Sequence, residues 1–110
     1  MINNITFDEK GLIPAVIQDA ATSEVLMLGF MNEESLRRTV QTGDVWFYSR
    51  SRQTLWKKGE TSGNILKMKN IKYNCENNSL LVSAVPKGPT CHTGNRTCFY
   101  RELTKEDLKS

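Results

Sequence analysis

Residues 12–30 read Leu12-Ile-Pro-Ala-Val-Ile-Gln-Asp-Ala-Ala-Thr-Ser-Glu-Val-Leu-Met-Leu-Gly-Phe30. Two apolar, β-branched runs, Leu12–Gln18 and Val25–Phe30, flank the polar Asp19–Glu24, a pattern that predicts a β-hairpin. Pro14 has no N–H for a ladder, so the first strand is expected at an edge or with a bulge. Beyond it, Asn32 is placed to cap a helix with Glu33 and Glu34 in its first turn, Arg37 and Arg38 in its later turns, and Gly43 at its end. Leu36 and Val40 would share its apolar face, too little to sustain a helix alone, so it is expected to lie on the sheet.

Val45–Tyr48 is a strand pattern. Ile65–Tyr73, with a bulge expected near Asn70, and Ser79–Val85 predict a second hairpin across a polar turn at Asn74–Asn78. Cys98–Leu103 reads as a last short strand and Thr104–Ser110 as a frayed helical turn. These elements predict an α+β fold, mostly antiparallel hairpins with one helix, as a single domain over residues 1–110.

Fifteen basic against twelve acidic residues give a net charge of +3. That suits an anionic ligand but falls short of the basic excess of a dedicated nucleic-acid binder. Neither a basic leader nor an apolar run of membrane-spanning length is present, so a cytoplasmic protein without a membrane partner is expected. The three cysteines are then expected as thiols or metal ligands, not as a disulfide framework.

Two stretches carry chemistry. Ser49–Asn64 combines Arg50, Arg52, Lys57 and Lys58 with Ser51, Thr61, Ser62 and glycines, so it suits either a phosphate cradle or a solvated basic loop pinned by Trp56. Pro86–Tyr100, with its Gly, Thr, Asn and Pro residues, reads as a loop holding Cys91, Cys98 and the only histidine, His92. Cys75, Cys91 and Cys98 lie sixteen and seven residues apart, unlike the paired spacing of structural zinc ribbons. Three thiolates would leave a metal one open position, as catalytic zinc needs. A Cys91–Cys98 disulfide or ordinary buried thiols fit the spacing equally, and His92 fits a ligand, a base or a loop residue.

The chain resembles the phosphoribosyl-AMP cyclohydrolase family over nearly its whole length. The resemblance rests on Ser49-Arg-Ser-Arg52, Leu55-Trp-Lys-Lys-Gly-Glu-Thr-Ser-Gly63, Gly88-Pro-Thr-Cys-His-Thr-Gly94 and Cys98-Phe-Tyr-Arg101. It implies an intertwined homodimer that hydrolyses the N1–C6 bond of phosphoribosyl-AMP in histidine biosynthesis. It implies zinc bound by Cys91, Cys98 and Cys75 of the partner subunit, a zinc-bound hydroxide attacking C6, and His92 as base or proton shuttle. Substrate binding would fall to Ser49, Arg50, Ser51, Arg52, Lys58, Glu60, Thr61 and Ser62. A C-terminal pyrophosphohydrolase domain, fused in some members, is not expected.

One departure concerns a second metal. The family pattern around its first zinc cysteine is Asp-Cys-Asp-x-Asp, the aspartates being magnesium ligands, whereas this chain reads Asn74-Cys75-Glu76-Asn77-Asn78. Replacing two of three carboxylates lowers the ligand charge, so magnesium at Asn74, Glu76 and Asn78 is expected to be weak or absent. That departure keeps open a zinc-bearing nucleotide-binding relative with impaired catalysis. A single-strand-binding module using Trp46, Tyr48 and Trp56 ranks last.

Overall fold

The computed structural model describes residues 2–108. Its elements are β1 (Ile13–Asp19), β2 (Val25–Met31), α1 (Glu33–Thr42), β3 (Trp46–Ser49), β4 (Thr54–Lys57), β5 (Leu66–Tyr73) and β6 (Leu80–Pro86). Alternation decides the main sheet. Ile13, Ala15 and Ile17 of β1 and Leu80, Val82 and Ala84 of β6 are buried, while the residues between them face the other side half-exposed. The strand order is β2-β1-β6-β5, and β3 and β4 form a separate two-stranded sheet.

The predicted hairpins β1–β2 and β5–β6 are both present, the second with its irregularity between Met68 and Asn70. They are joined by a parallel β1–β6 pairing, from Ala15 opposite Leu80 to Asp19 opposite Ala84. β1 is therefore a central strand, so of the two expectations raised by Pro14, an edge or a bulge, the edge is set aside and an irregularity is present. Pro14 is accommodated because the β6 pairing starts only at Ala15; the irregularity in β1 lies instead between Ile17 and Gln18.

The helix starts where Asn32 Oδ1 accepts from Ser35 N and Ser35 Oγ accepts from Asn32 N, each at 2.9 Å. This reciprocal cap is worth about 0.5–2 kcal/mol. It ends at Gly43, whose φ of +78° suits glycine. Arg37 and Arg38 pair with Glu33 and Glu34 one turn earlier. Val40 is 59% exposed, against its expected place on the apolar face. Thr39 turns inward instead, because its Oγ1 donates to Ser35 O and accepts from Trp46 N, both at 2.9 Å, fastening α1 to β3.

Two further expectations are corrected. Ser49–Asn64, for which no strand is predicted under either the cradle or the basic-loop reading, contains β4, whose Trp56 lies near Phe47 at 5.2 Å. Cys98–Leu103 forms no strand; Cys98 N makes one bond, to Leu26 O at 2.8 Å, in place of a ladder. The tail has a 3-10 turn at Glu106–Leu108; the end of that predicted helical turn, residues 109–110, lies outside the described residues. The β3–β4 hairpin is seated on β2 through a missing side chain. A Cβ at Gly29 would stand 2.6 Å from the Phe47 ring, so only glycine admits that ring.

Candidate functional site

The loop leaving β6 folds back on itself. Thr90 N donates to Arg96 O and Cys91 N to Asn95 O, both at 3.1 Å, and Gly94 N returns to Cys91 O at 3.0 Å. These bonds fold the loop so that Cys91 and Cys98 lie close enough to influence each other's ionisation. Thr93 Oγ1 donates to Cys91 Sγ at 3.0 Å. The Thr93 hydroxyl and backbone lower the Cys91 pKa, against the effect of burial, with smaller help from Cys98 and the Lys58 charge. Burial first, then the neighbouring Cys91, pushes Cys98 up. The surroundings thus favour ionisation of Cys91 over Cys98.

The loop is clamped to the β1–β2 turn. Arg96 donates to the Asp19 carboxylate and, at 2.5 Å, to Glu24 Oε1, while Thr97 Oγ1 donates to Val25 O at 2.7 Å. Asp19 is buried, and its Oδ1 accepts from Ala21 N at 2.8 Å, so one carboxylate organises both turn and clamp.

A second turn abuts this loop. A Cβ at Gly88 would lie 2.3 Å from Asn64 Oδ1, and one at Gly59 would lie 2.4 Å from the Asn64 carbonyl carbon. Asn64 therefore packs directly on Gly88 at the start of the cysteine loop, and Gly59 closes the 59–64 turn against Asn64, with Glu60, Thr61 and Ser62 exposed. Lys58, at the end of β4, donates to Thr90 O at 2.6 Å.

Arg50 and Arg52 occupy the other end of β4, in the β3–β4 turn, about 10 Å away along a strand of four residues. The Arg50 guanidinium lies 3.9 Å above the Phe30 ring, and Ser49 Oγ meets Ser51 Oγ at 3.4 Å and accepts from Arg52 N at 3.2 Å. Ser49, Arg50 and Ser51 edge an open cleft of about 590 Å³ floored by Gly29, Phe30, Phe47 and Trp56. An aromatic floor under guanidinium and hydroxyl groups suits a flat, anionic solute. Phe30 and Gly29 escaped the sequence reading, which treated their strand as core alone; the signal was an aromatic ending an apolar run.

His92 is exposed, directly after buried Cys91. Cys75, with Asn74, Glu76 and Asn78, stands in the β5–β6 turn, at the opposite end of β6 from the cysteine loop. Seven residues of extended chain separate the two ends by about 20 Å. Among the described residues, no three His, Cys, Asp or Glu side chains converge as metal ligands do. One chain thus assembles two of the three cysteines and holds the third apart.

Fold and site define a small α+β domain that sets a paired-thiol loop beside a basic, aromatic-floored cleft. The chain belongs to the phosphoribosyl-AMP cyclohydrolase family, whose model matches residues 27–100. It is 56% identical over 103 residues to a phosphoribosyl-AMP cyclohydrolase of Clostridium botulinum, covering 93% of this chain and 94% of that one. It is 50% identical over 105 residues to a phosphoribosyl-AMP cyclohydrolase of Archaeoglobus fulgidus, covering 96% and 97%. It is also 55% identical over 104 residues to the histidine biosynthesis bifunctional protein HisIE of Bacillus subtilis, covering 94% of this chain. The chain spans about half the length of the bifunctional relatives it matches. No helix among the described residues is long and apolar enough to cross a membrane.

Proposed function

We propose that this chain is a zinc-dependent hydrolase that opens the adenine ring of phosphoribosyl-AMP at the N1–C6 bond, in histidine biosynthesis, and acts as a homodimer. The observation that carries this reading is the folding of Cys91 and Cys98 into one loop, with Thr93 Oγ1 donating to the Cys91 sulfur at 3.0 Å, in a chain of this family. Zinc would be held by Cys91, Cys98 and Cys75 of the partner subunit, and when bound it supplies Lewis-acid activation of water near neutral pH. Cys75 stands too far along β6 to join the pair within one chain, which is why a second copy enters the proposal.

The remaining roles belong to the protein. Thr93 and Lys58 favour the thiolate form of Cys91, and Lys58 is accordingly assigned to the cysteine loop. Arg50 and Arg52, with Ser49 and Ser51, grip one substrate phosphate, and the Thr61 and Ser62 hydroxyls offer donors to the other. Glu60 on the same turn accepts from substrate hydroxyls, and the aromatic floor takes the purine face. His92 accepts a proton from the attacking water and returns one to N1 as the ring opens.

The experiment is subunit mixing. Cys91→Ser and Cys98→Ser are each expected to lose nearly all turnover. Exchange between Cys75→Ser and Cys91→Ser chains should restore about a quarter of wild-type turnover, since half of the dimers are mixed and one site in each is intact. Full activity in the single variants contradicts the zinc reading, and no recovery after verified exchange contradicts the shared site.

A further inference from the structure

The magnesium site that the resemblance implies does not fit the residues of the β5–β6 turn. Asn74 Oδ1 already accepts from Asn78 N and from Ser79 N, each at 2.9 Å, which uses both of its lone pairs. Asn74 Nδ2 donates to Asn78 Oδ1 at 2.7 Å, so the second amide oxygen is engaged as well. The main chain is closed in the same way: Asn74 N donates to Ser79 O at 3.2 Å, Asn77 N to Asn74 O at 2.9 Å, and Thr6 N to Asn77 O at 2.8 Å. Only Glu76, exposed, retains a carboxylate. A hard cation seeks six or more oxygens, and here it would meet an amino group pointing into the space between the two side chains.

We propose that the Asn74–Asn78 amide pair closes the β5–β6 turn in place of a divalent cation, so that this chain presents Cys75 without magnesium. Two aspartates on the same backbone would bring carboxylate oxygens to the 2.7 Å spacing now spanned by the Asn74 Nδ2 to Asn78 Oδ1 hydrogen bond. Like charges that close do not both stay ionised unless a cation or proton lies between them. The Asn74 amino group supplies the positive end that a cation would otherwise supply, and no ion is needed. Cys75 lies inside the closed turn, between Asn74 and Asn78, and is exposed. Under the dimer reading above, on which this consequence rests, the turn delivers Cys75 to the partner with its geometry set by the protein alone.

The test uses the zinc-loaded full chain and magnesium chloride. Titration calorimetry and thermal unfolding are run up to about 10 mM magnesium, beyond the weak end of protein sites for such cations. Wild type is expected to give no saturable heat and an unchanged Tm. The Asn74→Asp/Asn78→Asp variant is expected to melt lower than wild type without magnesium and to regain Tm when magnesium is added. Saturable binding by wild type overturns the inference, as does a double variant that melts like wild type and ignores magnesium. Should the double variant fail to fold, Asn74→Asp alone is read the same way. Neither readout involves substrate, so absence of turnover would count against the cyclohydrolase reading and leave this result standing.

Discussion

Lys58 Nζ donates to the carbonyl oxygen of Thr90 at 2.6 Å, tying the end of β4 to the residue just before Cys91. The bond spans thirty-two positions of sequence and sets a positive charge that adds to the lowering of the Cys91 pKa and offsets part of the rise at Cys98. A zinc with three thiolates carries net negative charge, and a fixed ammonium nearby offsets part of it.

Lys58→Met is therefore expected to lower zinc retention against a competing chelator by about tenfold or more, the usual scale for a residue supporting metal ligands. Lys58→Arg should recover part of that loss, which a purely steric role would not give. Zinc content after timed dialysis is the measurement, and retention equal to wild type in Lys58→Met contradicts the role.

Asp19 holds the β1–β2 turn and, through Arg96, the cysteine loop. Its pKa lies below the ordinary 3.8, chiefly because of the backbone N–H of Ala21, with Thr22 and Arg96 adding to the effect and burial opposing it. A depressed folded pKa gives stability that is fully present above the unfolded value and is lost as pH falls through the folded one. Asp19→Asn should therefore unfold more easily than wild type at pH 7, by about 1–3 kcal/mol for a charged acceptor lost. The gap should narrow below pH 3.8 and close once wild-type Asp19 is protonated. Urea unfolding across that range checks it, and a gap independent of pH contradicts it.

Gly88 and Asn64 form the joint between the 59–64 turn and the cysteine loop. In Gly88→Ala the new methyl would meet Asn64 Oδ1 at 2.3 Å and Cγ at 2.9 Å, but Asn64 Cβ only at 3.6 Å. The single variant is expected to lose about 1–3 kcal/mol by overpacking. Adding Asn64→Ala should relieve much of that loss, a non-additivity read directly from a double-mutant cycle of thermal unfolding. Simple additivity would show that the two residues do not meet.

The helix and both main hairpins were legible because each is written locally. Asn32 and Gly43 mark the helix ends, and alternation with a polar turn marks each hairpin. The parallel β1–β6 pairing was not, because nothing local in Ala15–Asp19 names Leu80–Ala84 as its neighbour; burial of both strands decides it. β4 was hidden by the charged residues around Leu55 and Trp56, and the exposure of Val40 by Thr39, whose bond to Trp46 N turns Thr39 inward in its place. For the site, residue types pointed to the cysteine loop and the Arg50 turn. Tertiary contact was needed to place Lys58 at Thr90 and Arg50 on Phe30, and the paired strands to place Cys75 in the turn at the far end of β6 from the cysteine loop.

The most direct measurement is turnover of phosphoribosyl-AMP by the purified chain, followed by absorbance, with metal content determined on the same sample and magnesium present or absent. Turnover with about one zinc per chain and no response to magnesium is the expected result. Folded, zinc-loaded protein that binds phosphoribosyl-AMP without opening its ring would contradict it.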